Sequence, residues 1–70
     1  MNPIALSLAS RAYYLGMSVA SGKTKKIKSI YDAHMDELAF ITSELLEDGI
    51  LSWDEACYII EEWLKGRAFG

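Results

Sequence analysis

The chain has 70 residues, 51% of them hydrophobic, and a formal net charge of −3 at pH 7. This length allows a single domain, and a core of this size supplies only about 3–5 kcal/mol of stability, so a partner or a second copy is expected to help. One cysteine, Cys57, excludes an internal disulfide, and one cysteine with one histidine argues against a structural zinc site.

The apolar N-terminal segment does not have the pattern of an export signal. No basic residue precedes the apolar run, and Arg11 interrupts it. A membrane span needs about 20 mostly apolar residues, whereas serines at positions 7, 10 and 18 fall within this segment. We therefore expect a cytoplasmic, soluble protein with a free thiol and no membrane contact.

Helix-start and helix-stop residues predict the first two elements of an all-α fold. Helix 1 is predicted over residues 3–20, with Asn2 as the N-cap and Pro3 at the first helical position. Helix 2 is predicted over about residues 25–48, with Gly49 as a left-handed C-cap.

A third helix completes the predicted fold. Ser52 and Glu55 form the Ser-x-x-Glu pattern of a capping box, which opens helix 3 over residues 53–65. Gly66 is expected to close this helix. We predict one compact three-helix domain over residues 1–70, in which a long central helix 2 forms a hairpin with helix 3.

Two patterns predict how helices 1 and 2 pack. Helix 2 has apolar and aromatic residues at alternating spacings of four and three, which is an a/d seam for an oligomer interface or a core: Ile27, Tyr31, His34, Leu38, Ile41 and Leu45. Helix 1 has a strip of small residues that lets another helix approach closely: Ala5, Ala9, Ala12, Gly16 and Ala20. Helix 2, about 35 Å long, would extend beyond helix 1, so we expect a homo-oligomer, with a dimer favoured.

Two segments resemble ligand-binding motifs without matching them. In "GMSVASGKT", residues 16–24, five residues separate the two glycines, whereas a phosphate-binding loop has four and follows a strand. The segment "DGILSWDE", residues 48–55, resembles the second half of an EF-hand loop. Glu44 and Leu46 would then stand at its first and third ligand positions, and leucine cannot bind calcium. We predict no cofactor and no metal site.

His34 and Cys57 are the strongest candidates for a catalytic base and a nucleophile. They lie on different predicted helices, and catalysis would also need an orienting group and an oxyanion site. We expect the histidine ring to pack at the helix 2 seam and the cysteine to pack as a small hydrophobe. No catalytic residue and no enzymatic activity are predicted.

Charged residues are segregated along the chain. Five of the seven basic residues lie at or before Lys28, and all ten acidic residues lie between Asp32 and Glu62. One interpretation is a solvated acidic face that keeps a small apolar protein soluble. The other is a binding surface, because Phe40 and Tyr58 each stand among carboxylates on a helical wheel, as in interaction hot spots. The predicted partner-binding residues are Asp36, Glu37, Phe40, Glu44, Glu47, Asp54, Tyr58 and Glu62.

These patterns predict a small, phage-like inhibitor or regulator that acts by binding. Its acidic surface would steer it to a basic protein surface, such as that of a nuclease, a polymerase or a CRISPR-type effector. Direct DNA binding through helix 3 is disfavoured because its acids repel phosphate. Two alternatives stay open: a self-associating assembly module, and a weak accessory nucleic-acid binder through the Lys-rich segment 23–28.

One segment also carries a family resemblance. The letters "ELLEDGILSWDEA", residues 44–56, combine a leucine pair, a glycine turn, a cap and an acidic helix start. With the apolar helix that follows, residues 38–64 resemble the SHOCT family of short helical hairpins, over less than half of the chain. The resemblance implies an oligomerisation or adaptor role without catalysis.

Overall fold

A computed structural model of the protein describes the backbone of residues 1–20 and 28–69, with side chains over 1–19 and 34–69. Within these ranges the chain forms three α-helices and no strand, so the all-α prediction is confirmed. The helices are α1 (Pro3–Ala20), α2 (Lys28–Glu47) and α3 (Trp53–Phe69). No helix within the described ranges is long and apolar enough to cross a bilayer.

Asn2 begins α1 and joins it to the rest of the molecule. Its Oδ1 accepts a hydrogen bond from the backbone N–H of Ile4 (3.0 Å), as expected of an N-cap. Its Nδ2 donates to the carbonyl of Ile50 (2.9 Å), and its backbone N–H donates to the carboxylate of Glu55 (3.1 Å). The start of α1 is therefore held against the α2–α3 turn and the first turn of α3.

The C-terminus of α2 is a Schellman motif around Gly49, which confirms the predicted cap. Gly49 has φ of 77°, a left-handed conformation that glycine adopts without penalty. The N–H of Ile50 donates to the carbonyl of Leu45 (2.9 Å), and the N–H of Gly49 donates to that of Leu46 (3.1 Å). These bonds satisfy carbonyls that the helix end would otherwise leave free.

The predicted capping box at the start of α3 is also confirmed. The backbone N–H of Ser52 donates to Glu55 Oε1 (3.0 Å), and the backbone N–H of Glu55 donates to Ser52 Oγ (3.2 Å). The backbone hydrogen bond from Ser52 is the largest influence on the Glu55 carboxyl and lowers its pKa. Desolvation opposes this effect, and the hydrogen bond from Asn2 lowers the pKa further, so the net shift is downward. Glu55 therefore caps α3 and fastens α1 to it with a single carboxylate.

The three helices form an up-down-up arrangement. Asn2 contacts Glu55 at one end, and Gly16 lies on Trp63 near the other, so α1 and α3 run parallel. Asn2 contacts Ile50 just beyond the end of α2, whereas Arg11 and Leu15 line a groove with His34 from the first half of α2, so α2 runs antiparallel to α1. α1 packs most extensively against α3 and less against α2, and the interface between α2 and α3 is the smallest of the three.

Two glycines allow the backbones of α1 and α3 to touch. A Cβ on Gly16 would overlap the carbonyl oxygen of Trp63, and a Cβ on Gly66 would overlap that of Tyr13. The small-residue strip on α1 therefore admits a neighbouring helix, as its spacing predicts. The prediction that Gly66 closes the third helix is wrong: α3 continues to Phe69, and Gly66 lies inside it, where its lack of a Cβ allows contact with the backbone of α1.

The core lies in the centre of this bundle and is thin. Its buried hydrophobic residues, within the described ranges, are Ala5, Leu8, Ala9, Ala12, Leu38, Leu51, Ala56 and Ile59. Four of these are alanines, and Leu38 and Ile59 are the largest side chains that are fully buried. Because alanine buries little area, larger half-buried side chains around the core, such as Leu15 and Trp63, supply much of the apolar contact.

Candidate protein-binding surfaces

The outer side of α2 presents one aromatic side chain among carboxylates. Phe40 is 65% exposed and lies on the side of the helix opposite Leu38 and Thr42, which are buried. Four exposed acids surround it along the same side of the helix, and together with Phe40 they define the Phe40 face: Asp36, Glu37, Phe40, Glu44 and Glu47.

The residues predicted to extend this surface onto α3 lie elsewhere. Tyr58 is half-buried against the core and, with Glu62, lines a groove between α1 and α3. Glu62 Oε1 lies 3.2 Å from Lys65 Nζ, and this hydrogen-bonded pair raises the pKa of the lysine. Asp54 is exposed in the first turn of α3. The structure thus groups five of the eight predicted partner-binding residues on one helix face.

The helical wheel of helix 3 places Tyr58 and Glu62 among acids and therefore predicts that both face solvent. Their side of α3 instead faces α1, which contributes Ser10, Tyr13 and Tyr14 to the same groove. Serine and tyrosine side chains of α1 can cover this partly polar side of α3, because they offer both apolar surface and hydroxyl groups. The rings of Tyr13 and Tyr14 lie 5.8 Å apart in an edge-to-face arrangement. In the sequence, the only signal for this contact is the pair of consecutive tyrosines on helix 1.

The predicted seam of α2 packs within the chain. Leu38 is in the core, and Ile41 and Leu45 pack against it from the side of the bundle. His34 is exposed, so its ring does not complete the seam as predicted. Ile27 and the side chain of Tyr31 lie outside the described residues, and so do residues 23–27 and the side chain of Lys28.

The two features that suggested self-association are therefore both used inside one chain. The described part of the seam contacts the core, and Ala5, Ala9 and Ala12 of the small-residue strip are buried, with Gly16 against α3. The described residues of the seam and of the strip are thus covered within one chain.

His34 and Cys57 line different grooves. His34 lies between α1 and α2, where its Nδ1 is 3.9 Å from Glu37 Oε2 and Arg11 lines the same groove. Cys57 is half-buried between α2 and α3. No group of three or more His, Cys, Asp or Glu side chains in the described part of the chain could hold a metal ion.

An apolar groove between α2 and α3 was not anticipated from the sequence. We name it the α2–α3 groove; it has a volume of about 210 Å³, and its walls include Met35, Ala39, Leu46, Trp53, Cys57 and Ile60. Trp53 is 70% exposed and Ile60 is 51% exposed, so large apolar surfaces of α3 face solvent here. The helical wheel indicates the apolar side of helix 3 but not that the small α2–α3 interface leaves it uncovered.

The two hydroxyl groups that line the α2–α3 groove are hydrogen-bonded to the backbone of α2. Thr42 Oγ1 donates to the carbonyl of Leu38 (2.8 Å), and Ser43 Oγ donates to the carbonyl of Ala39 (2.9 Å). Both hydroxyls are thereby satisfied by their own helix. The groove consequently offers an occupant apolar surface with few hydrogen-bonding groups.

Comparison with protein-family models, with curated proteins and with solved structures finds no match to this chain. The SHOCT resemblance of residues 38–64 gains no support from these comparisons. Functional inference therefore depends on the surfaces themselves.

Proposed function

We propose that this protein is a non-enzymatic inhibitor or regulator that covers a basic surface of a protein that handles nucleic acid. The observation that carries the proposal is the Phe40 face, an aromatic ring 65% exposed on the outer side of α2 within a ring of exposed carboxylates. A central aromatic residue with a polar rim is the common anatomy of a binding hot spot.

The aromatic ring and the carboxylates would contribute differently. Removing an exposed phenylalanine from water is favourable by about 1.5–3 kcal/mol, so Phe40 would supply affinity. Each exposed carboxylate adds little to affinity on its own, because solvent screens it. Together the acids would accelerate association with a positively charged surface and disfavour acidic partners.

A binding role is also supported by the placement of the reactive side chains. His34 and Cys57 line separate grooves, so they do not form a nucleophile and base pair within hydrogen-bonding distance. The carboxylate of Glu55 is engaged by backbone N–H groups of Ser52 and Asn2, which gives it a structural role.

We expect Phe40→Ala to abolish partner binding while leaving the fold intact. The tagged wild-type protein should retain one dominant basic-surfaced protein from a nuclease-treated lysate of cells that carry the gene, and Phe40→Ala should lose it. Nuclease treatment removes proteins that are captured only through nucleic acid. Thermal melting by circular dichroism should give similar transitions for both proteins, because an exposed side chain contributes little to stability.

Tyr14→Ala is the matched control. Tyr14 is 64% exposed on α1, close to the exposure of Phe40 but outside the acidic face. Its variant should retain the partner. Equal loss of the partner in both variants, or retention in both, would contradict the assignment of the Phe40 face.

A further inference from the structure

We propose that the α2–α3 groove binds an amphipathic basic helix of the partner protein. This inference rests on the proposed function and deepens it, because it names the element of the partner that is recognised. The groove and the Phe40 face are adjacent sides of α2, so one partner could contact both.

The length and shape of the groove fit a helix of about three turns. Among the residues that line the groove, Met35 and Leu46 are eleven residues apart on α2, and Trp53 and Ile60 are seven residues apart on α3. Eleven residues of helix extend about 16 Å. Helices bound in grooves place apolar anchors at positions i, i+3 or i+4, and i+7, which this length accommodates.

The chemistry of the walls favours the apolar side of such a helix. Trp53 and Ile60 are large side chains that remain mostly exposed, and the Thr42 and Ser43 hydroxyls are bonded to their own helix. An apolar anchor that entered here would cover these side chains without leaving a protein hydroxyl unpaired. Trp53 has the size and position of a hot-spot residue at one end of the groove.

The outer edges of the groove specify the charge of the occupant. Helical register places an exposed acid one turn before and one turn after Cys57 on α3, and exposed acids also follow the outer edge on α2: Asp54, Glu61, Asp36 and Glu47. No Lys or Arg occurs between residues 29 and 64 to neutralise them. A helix with Lys or Arg beside its apolar stripe would meet opposite charge along both edges.

The same charges disfavour a second copy of this chain as the occupant. In a two-fold symmetric dimer across the groove, each edge would meet an edge of the other copy, and both edges are acidic. Asp36 and Glu47 would then lie near like charges, which costs free energy at an interface. Asp36 and Glu47 also belong to the Phe40 face, so a basic helix in the groove would bring the partner beside Phe40.

The test uses a synthetic peptide and the protein's own thiol. The probe is an amphipathic helical peptide of about 18 residues with leucines at positions i, i+4, i+7 and i+11 and lysines elsewhere. Cys57 is the only cysteine of the chain and lines the groove, so its alkylation rate reports occupancy. We expect saturating peptide to slow alkylation at least about tenfold, and a scrambled peptide of the same composition to leave it unchanged.

Ile60→Glu is the variant of the groove, and Ile4→Glu is its control. Ile60 is half-exposed, so glutamate there can reach solvent, and we expect the peptide to bind at least about tenfold more weakly. Ile4 is 43% exposed on α1, away from the groove, and its variant should bind as the wild type does. If Ile60→Glu fails to fold by circular dichroism, Ala39→Glu on the opposite wall takes its place.

Three results would overturn the inference. The first is equal affinity, either of the protein for the scrambled and the amphipathic peptide or of the folded groove variant and the wild type for the amphipathic peptide. The second is that about 1 mM peptide does not slow the alkylation of Cys57. The third is that alkylation of Cys57 slows as the protein concentration rises, without any peptide. The last would identify a second copy as the occupant. Loss of the partner by Phe40→Ala without peptide protection would overturn the groove and leave the proposed function standing, and the reverse pair of results would overturn the Phe40 face alone.

Discussion

Glu55 is the residue that joins the start of α1 to the start of α3. One carboxylate oxygen accepts the backbone N–H of Ser52, and the other accepts that of Asn2, fifty-three positions away. Asn2 in turn caps α1 and donates to the carbonyl of Ile50. A carboxylate that satisfies two otherwise free helix-end amides stabilises both helix starts and their relative position.

The lowered pKa of Glu55 gives this contact a pH dependence. Because the folded pKa lies below the unfolded one, the contribution is complete above the ordinary glutamate pKa of about 4.3. It is lost as the pH falls from there through the lowered folded pKa. We expect Glu55→Gln to melt at lower temperature at pH 7 and to lack this part of the acid-induced fall in Tm.

The measurement is Tm by circular dichroism between about pH 2 and pH 7. Glu61→Gln, which removes the same charge from an exposed position of α3, is the control and should follow the wild type. Parallel acid profiles for the wild type and Glu55→Gln would show that the carboxylate does not contribute in this way.

Single-residue features differ in how far the sequence predicts them. The caps at Asn2, Gly49 and Ser52 depend on backbone groups a few residues away, so their spacing in the sequence is sufficient. The exposure of Phe40 follows from its position opposite the seam of its own helix. Tyr58 depends on which helix covers its side of α3, and no local pattern contains that information.

At the level of whole helices, the contact of α1 with α3 is likewise predicted only in part by the sequence. A strip of small residues on one helix predicts a close approach, but it does not name the neighbour. The neighbour is α3, because Gly66 presents a surface without a Cβ opposite Tyr13, and Gly16 does so opposite Trp63. A glycine that the sequence alone reads as a helix stop is therefore a packing residue in mid-helix.

We expect Gly16→Ala and Gly66→Ala each to destabilise the protein. In an uncrowded helix interior alanine would stabilise by about 1 kcal/mol relative to glycine. Here the added Cβ would overlap a backbone carbonyl of the facing helix, which cannot rotate away, and overpacking of this kind costs about 1–3 kcal/mol. The change in the free energy of unfolding is measured by urea denaturation. A decrease indicates that the two backbones are in close contact, and an increase indicates a looser interface.

Gly49 provides the contrasting case. A Cβ there would meet nothing within 4 Å, but φ of 77° is unfavourable for alanine. Gly49→Ala should therefore destabilise, and Gly49→Asn should recover part of the loss, since asparagine tolerates this conformation. At Gly16 and Gly66 the available space is limiting, so replacement by asparagine should not recover any of the stability that alanine loses there.

Across the whole molecule, much apolar surface stays outside a thin core. Four of the buried hydrophobic residues are alanines, while Phe40, Trp53 and Ile60 are more exposed than buried. The helix count and most helix ends follow from local patterns in the sequence. The pairing of α3 with α1 and the open α2–α3 groove do not, because small differences in packing among three helices decide them.

Leu38→Ala is expected to unfold much of the molecule at 25 °C. Leu38 is the large α2 side chain that enters the core, and truncation of a buried leucine costs about 2–5 kcal/mol. A core of this size supplies only about 3–5 kcal/mol in total, so the two quantities are comparable. The loss should appear in one cooperative transition by circular dichroism, because α1 and α3 share the same core. Leu64→Ala, at an exposed position of α3, should melt close to the wild type. If Leu38→Ala also melted close to the wild-type temperature, burial of Leu38 in the core would not be what holds α2 in the bundle.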